Sequence, residues 1–265
     1  MESGKVLIDG DIVAYKAAAS LESNYFKEVV AFSTDLKLYK YKQEHHEKFV
    51  EGYKFWAAGN DKLSRHIDKN MKFIIDKTVR SPESGLYQVY LTGSSNFRYK
   101  VAKSYPYKEV RKQIPKPVDL PKAREYLVDN FNAIVSDGEE ADDLIAMEAT
   151  RCGPTTIVAS VDKDMLQIPC RHFNLTTGKW TTVSEFAGLK FFYTQILTGD
   201  VADNIKGVYG IGPKTAEKML KGLSTEEELW DVCVEAYEGD VNRVVENARL
   251  LWLRREVGEV WIPPK

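Results

Sequence analysis

Little in this chain invites chemistry on sulfur or imidazole. Its three cysteines, Cys152, Cys170 and Cys233, are odd in number and scattered, with no C-x-x-C pair. A disulfide framework or thiolate zinc site is therefore not expected, and a reducing cytoplasm is the natural compartment. Histidines number four, and "HEKFV" from His46 places Val50 where a zincin motif needs its second histidine. No run approaches the ~18 apolar residues that span a bilayer, and the start "MESGKVLIDG" does not read as a signal peptide, so no membrane partner is expected. Neither sign of charge dominates: the net value is −2, which neither announces nor excludes a nucleic-acid partner. Internal repeats, low-complexity tracts and heptad arrays are missing too. What remains, 265 residues at 43% hydrophobic and 29% charged, is an ordinary globular composition with enough chain for a real core.

Within that neutral background the charge is unevenly distributed. "SDGEEADDLIA", residues 136–146, crowds Asp137, Glu139, Glu140, Asp142 and Asp143 together and then turns apolar. Acids favour the first turn of a helix, and Ser136 with Glu139 fits a capping box, yet capping accounts for one or two acids rather than five. From Arg98 to Lys116 the balance reverses: Arg98, Lys100, Lys103, Lys108, Arg111, Lys112 and Lys116 face a single acid, Glu109. Phe97, Tyr99, Tyr105 and Tyr107 are interleaved with them. A basic, aromatic-rich strip of this kind can track a phosphate backbone and stack on bases. A solvated surface loop is the plainer alternative.

Short apolar runs at Val6–Ile8, in "YQVYLTG" and in "TTIVASVDKD" read as strands separated by helical stretches, which predicts a mainly parallel sheet in an α/β fold. Residues 17–80 read as helical and charged, with no evident function. Helices are expected at 122–135 and 141–149, and "FNLTTGKWTTVSEF" predicts a hairpin turning at Thr177-Gly178. From about Phe191 the chain reads as helical with Gly-rich turns. In open parallel sheets ligands sit beyond the carboxyl ends of the strands. Asp9 closes the first strand, Asp162 and Asp164 follow the third, and the acidic knot opens the helix leading into it.

"LTGDVADNIKG" adds Asp200 and Asp203. Asp9, Glu140, Asp142, Asp143, Asp162, Asp164, Asp200 and Asp203 packed together would repel one another unless cations lay among them, and all-oxygen sites suit Mg²⁺ or Mn²⁺. Two such ions can serve phosphodiester cleavage. "VLIDGDIV" also fits the opening of a haloacid-dehalogenase-type phosphatase, but that reading leaves "EADD" without a place. "GVYGIGPKT" superficially resembles a Walker A loop; Pro213 breaks the required pattern and no strand precedes it. Gly207, Gly210 and Gly212 between helical segments instead suggest a helix–hairpin–helix, whose backbone N–H groups can hold a phosphate without reading sequence.

In combination, "VLIDGDIVAY", "YPYKEVRK", "EEADDLIA", "ASVDKDMLQIP" and "LTGDVADNIKGVYGIGPKTAEKML" resemble the 5′-nucleases of the flap-endonuclease superfamily, most of all the stand-alone bacteriophage 5′→3′ exonucleases. The resemblance implies a mainly parallel sheet flanked by helices over residues 1–190, with a helical arch near 105–125, and a helical region with a helix–hairpin–helix over 191–265. It implies a metal-dependent enzyme that hydrolyses phosphodiesters near the 5′ ends of duplex or flapped DNA in replication, repair or recombination. RNA in RNA–DNA hybrids is an additional substrate class that it allows. The eight acids named above would surround two ions, with Asp137 and Glu139 left as capping acids. Lys108 and Arg111 would contact the scissile phosphate at the base of the arch. Tyr15 would stack on a terminal base with Lys16 beside it. Arg98, Lys103 and Lys112 would line the nucleic-acid face. Gly207, Gly210, Gly212, Lys214 and Thr215 would bind the duplex backbone, with a monovalent cation such as K⁺ as an accompaniment.

One position departs from the family's pattern. An aspartate is expected at the end of the second strand, where "YLTGSSNFR" offers Gly93. Activity is expected to survive, with weaker metal affinity, and Asp11 is expected to point away from Asp9 by strand alternation. Two further classes remain beside the nuclease: a structure-specific DNA-binding protein that kept the fold without the chemistry, and a related PIN-type ribonuclease, which lacks a helix–hairpin–helix.

Overall fold

The computed structural model describes residues 4–30, 36–59, 61–79, 86–109 and 115–265, the side chains of 36 and 37 excepted. Its centre is a sheet of β1 (Val6–Asp9), β2 (Tyr87–Leu91), β3 (Ile134–Val135), β4 (Ile157–Ser160), β5 (Arg171–Asn174) and β6 (Trp180–Thr182), in the order β3-β2-β1-β4-β5-β6. Every pairing is parallel except β5 with β6. β1 therefore sits between strands reached by crossovers in opposite directions, the point at which α/β sheets open a crevice beyond the strand ends. The three strands and the hairpin expected from the sequence are present. β3 lies inside a stretch expected to be helical: α6 (Leu120–Phe131) stops at Asn132, a left-handed C-cap with φ 49°, and the two residues beyond Ala133 pair with β2.

Pleating divides β1 between two layers. Val6 and Ile8 pack against α1 (Gly10–Tyr25), α4 (Lys62–Thr78) and α6, where Ile67, Met71 and Ile74 form a buried stripe at helical spacing. Leu7 faces the other way, with Val158, against Ile145, Ala146 and Ala149 of α7 (Ala141–Cys152). By the same alternation Asp9 and Ser160 emerge on the α7 side. A third cluster joins α2 (Leu36–Glu44) and α3 (His46–Ala57) to the end of α1 through Tyr25, Phe49 and Tyr53.

The C-terminal helices are α8 (Glu185–Thr198), α9 (Pro213–Met219), α10 (Glu226–Ala236) and α11 (Val241–Leu251). They form their own apolar cluster, which also takes in Tyr107. Between α8 and α9 runs a two-stranded ribbon, β7 (Gly199–Asp200) with β8 (Ile205–Lys206), followed by the glycine turn at 207–212. Two helices joined by a hairpin are thus found where the glycine spacing placed them. The expected arch near 105–125 includes residues 110–114, which lie outside the described residues. Arg111 and Lys112 fall there as well. No helix among the described residues is long and apolar enough to cross a membrane.

Candidate functional site

Asp9 ends β1 and caps α1: its Oδ1 accepts from the Ile12 backbone N–H (3.2 Å) and its Oδ2 from the Ser160 hydroxyl (2.7 Å). Across the crevice, Asp142 leaves the first turn of α7. Asp162 caps the short 3₁₀ turn Lys163–Gln167 that follows β4, and Asp164 lies inside that turn. These carboxylates sense one another. Burial, and after it the neighbouring Asp162, pushes Asp9 up to about 6 despite its two hydrogen bonds. Burial pushes Asp142 well above the carboxylate range, reinforced by Asp9, Asp162 and Glu140. Asp164 is pushed up to about 7 by burial and then by Asp162 and Asp200. Such upward shifts mark carboxylates that are buried first and crowded second, with too little positive charge between them.

Two lysines supply part of it. The Lys108 ammonium is ion-paired with Glu140 and lies 3.9 Å from Asp203, and Lys163 lies 3.3 Å from Asp200. Lys108 is held there by strained backbone. Its φ is 57°, in the left-handed region that side chains disfavour, and its N–H donates to the Asp203 carbonyl (2.9 Å). Asn204, also left-handed, donates its side-chain amide to the Pro106 carbonyl (2.9 Å). The 106–108 turn is thereby latched onto the 200–204 turn, bringing the basic strip to the acids.

Sequence reasoning missed several members of the site. The Tyr107 hydroxyl donates to Asp203 (2.9 Å) with Glu140 3.1 Å away, and Asn96 donates to Glu140 at 2.6 Å. Gln195 donates to Asp164 (2.7 Å) and is itself backed by Gln167 (2.8 Å). Tyr107 stood beside Lys108 in the basic strip, and its role could have been asked there. Nothing in the sequence singled out the two glutamines.

Several expected residues are placed elsewhere. Asp143, one turn position from Asp142, faces away from the crevice: both its oxygens take guanidinium N–H groups of Arg98, at 2.6 and 2.8 Å. That pair outweighs burial and holds Asp143 below the carboxylate range. Arg98, expected on the nucleic-acid face, is 2% exposed and also donates to the Leu250 and Trp252 carbonyls. A guanidinium enclosed on all sides cannot meet a phosphate. Asp137 and Glu139 are not capping acids; Asp137 accepts from Ser95 (2.8 Å) and Glu139 pairs with Arg254 (3.0 Å). The N-cap is Glu140 rather than Ser136, with Asp143 closing the box by accepting from the Glu140 N–H (3.0 Å). Lys16 donates to Leu175 O and Thr176 on the β5–β6 hairpin, whereas Tyr15 beside it is 45% exposed. Lys103, Gly210, Gly212, Lys214 and Thr215 are exposed, as a backbone-contacting surface requires.

Gly93 has a steric reason. A Cβ there would stand 1.9 Å from the Ser136 carbonyl oxygen, so an aspartate does not fit unless that segment moves. Asp11 is ion-paired with Arg124 and accepts from the Thr92 N–H (2.9 Å), which ties α1 to α6. It has no place among the crevice acids.

The donor set of the crevice is carboxylate oxygen throughout, which fits a hard divalent cation, and its raised acids are those a cation would relieve. Among the described residues no three acidic, histidine or cysteine side chains are drawn closely enough to hold an ion as they stand. The fit is one of donor chemistry and location, without a preassembled coordination sphere.

No family model matches the chain. Flap endonuclease Xni of Aeromonas salmonicida is 34% identical over 149 residues, 49% of this chain and 55% of that protein. DNA polymerase I of Deinococcus radiodurans is 30% identical over 177 residues, 61% of this chain and 18% of that one. The chain thus spans about half the length of its flap-endonuclease relatives and under a fifth of the polymerases. In fold, a bacteriophage T5 5′-exonuclease with bound zinc matches at a TM-score of 0.61 and 16% identity, over 94% of this chain and 89% of that one. A T5 flap endonuclease in complex with DNA and metal ions matches at 0.56. The resemblance to 5′-nucleases and flap endonucleases is thereby borne out in sequence, and the likeness to the T5 exonuclease is one of fold.

Proposed function

We propose that this protein is a metal-dependent 5′-nuclease that hydrolyses phosphodiesters near the 5′ ends of duplex or flapped DNA. The observation that carries this reading is the crevice at the end of β1 and β4, where mutually repelling carboxylates meet Lys108. The names of the relatives, flap endonuclease and 5′-exonuclease, point the same way. Asp9, Glu140, Asp142, Asp162, Asp164, Asp200 and Asp203 would hold Mg²⁺ or Mn²⁺. Such ions, when bound, activate a water and stabilise a leaving oxygen. Lys108, fixed by its latched turn, would neutralise charge on the reacting phosphate. Tyr107 and Gln195 orient Asp203, Glu140 and Asp164 through hydrogen bonds. The glycine turn at 207–212, exposed at Gly210 and Gly212, would with Lys214 hold duplex backbone, with K⁺ as an accompaniment, and RNA paired to DNA would be a further substrate.

The test is a 5′-flap duplex labelled separately at the flap terminus and internally, incubated in Mg²⁺ and in EDTA. Products that require Mg²⁺ are expected. Short pieces would indicate exonucleolytic action, and one long fragment endonucleolytic action. Binding without products, even in Mn²⁺, would replace this reading with a DNA-binding protein lacking the chemistry.

A further inference from the structure

Beside Asp162 opens a cleft of about 190 Å³ that runs from the crevice toward the β5–β6 hairpin. Its walls include Asp162, Lys163, His172, Asn174, Lys179 and Thr181. The sheet explains why these are together. Ser160 pairs in register with Asn174, and the Asn174 N–H donates to the Lys179 carbonyl (2.9 Å). With Asp9 bonded to Ser160, the row Asp9–Ser160–Asn174–Lys179 crosses the carboxyl edge of the sheet on one face. One step below, Val158, His172 and Thr181 form the next row. That face is apolar at Leu7 and Val158, under α7, and becomes polar at His172 and Thr181. A sheet face that turns from apolar to polar beside a crevice can face water or a polar occupant.

The cleft's charge indicates which one. With Lys163 turned toward Asp200, the cation left to the cleft is Lys179. Lys179, exposed at the far end of the row, is the cation a second phosphate along a strand would meet.

We propose that this cleft seats a single nucleotide of the bound strand next to the bond that is cut, its phosphate against Lys179 and its sugar against Thr181 and Asn174. The proposal rests on the nuclease reading for its ligand.

It is tested by binding alone, so that a failure of cleavage does not decide it. Affinity of the full chain for a 5′-flap duplex is measured in EDTA by fluorescence anisotropy, for the wild type, Lys179→Ala and Lys179→Arg. Neutral methylphosphonate linkages are placed one at a time on either side of the junction. Lys179→Ala is expected to weaken binding about three- to tenfold at low salt and to reduce the slope of log K against log salt by about 0.7–0.9. Lys179→Arg should restore both. At one linkage the methylphosphonate should weaken wild-type binding by the same factor and leave Lys179→Ala unaffected. Additive losses at every linkage, or an unchanged salt slope, would overturn the proposal.

Discussion

At the level of single residues, the raised carboxylates tie function to a stability cost. Asp9 and Asp164 ionise at an ordinary 3.8 when unfolded but at about 6 and about 7 in the folded chain. A carboxyl whose folded value is raised favours folding below its unfolded value, and that contribution is lost as pH rises through the folded one. The protein without divalent ions is therefore expected to lose stability between about pH 4 and pH 7, beyond what its other groups contribute. A divalent cation bound there would compete with those protons and relieve the repulsion. Mg²⁺ should raise Tm more at pH 8 than at pH 5, and Asp142→Asn should raise the metal-free Tm at pH 8 while abolishing cleavage and sparing DNA binding. Differential scanning fluorimetry in EDTA and Mg²⁺ reads the first part; equal Mg²⁺ shifts at both pH values would contradict it. The sequence could point to this cluster but could not divide it. Asp142 and Asp143 are identical letters, yet a helical step of about 100° sends one to the crevice and the other to Arg98.

At the level of elements, the two flanks of the hairpin motif ask different things of their glycines. Gly207 lies against the end of α8: an added Cβ would stand 2.3 Å from the Thr198 carbonyl carbon and 2.4 Å from the Leu197 oxygen. Backbone atoms cannot step aside as a side-chain tip can. Gly212, the N-cap of α9, has open space where its Cβ would go. Gly207→Ala should therefore cost about 1–3 kcal/mol in urea unfolding, whereas Gly212→Ala should cost well under ~1 kcal/mol. Equal effects at both positions would mean that the glycines serve flexibility and not close approach. The motif was visible beforehand because three glycines between helical runs are a local signal. β3 was not, since two residues after a helical pattern carry no period of their own, and only pairing with β2 makes them a strand. Hydrogen bonds between distant segments, such as Tyr107 with Asp203 or Gln195 with Asp164, leave no local mark either.

At the level of the molecule, one buried ion pair joins the acidic helix to the C-terminal segment. Arg98 binds Asp143 through two bonds, and its other donors take the carbonyls of Leu250 and Trp252 where α11 ends. The Arg254 N–H returns to Asp143 (3.1 Å). Leu253 then packs in the α7 cluster, and its N–H donates to Gln167 (3.2 Å), the residue behind Gln195 and Asp164. The C-terminal helices and the carboxylate crevice thus share one polar scaffold. Asp143 has no exposed surface, so taking away Arg98 leaves a buried charge without its partner. Arg98→Met should cost about 3–5 kcal/mol, while Arg98→Met combined with Asp143→Leu should recover most of that loss, because the pair's attraction is largely offset by its desolvation. Urea unfolding monitored by the tryptophans checks both variants. If the double variant is as unstable as the sum of the two singles, the pair's geometry, and not the cost of an unpaired charge, is what holds the C-terminal segment in place.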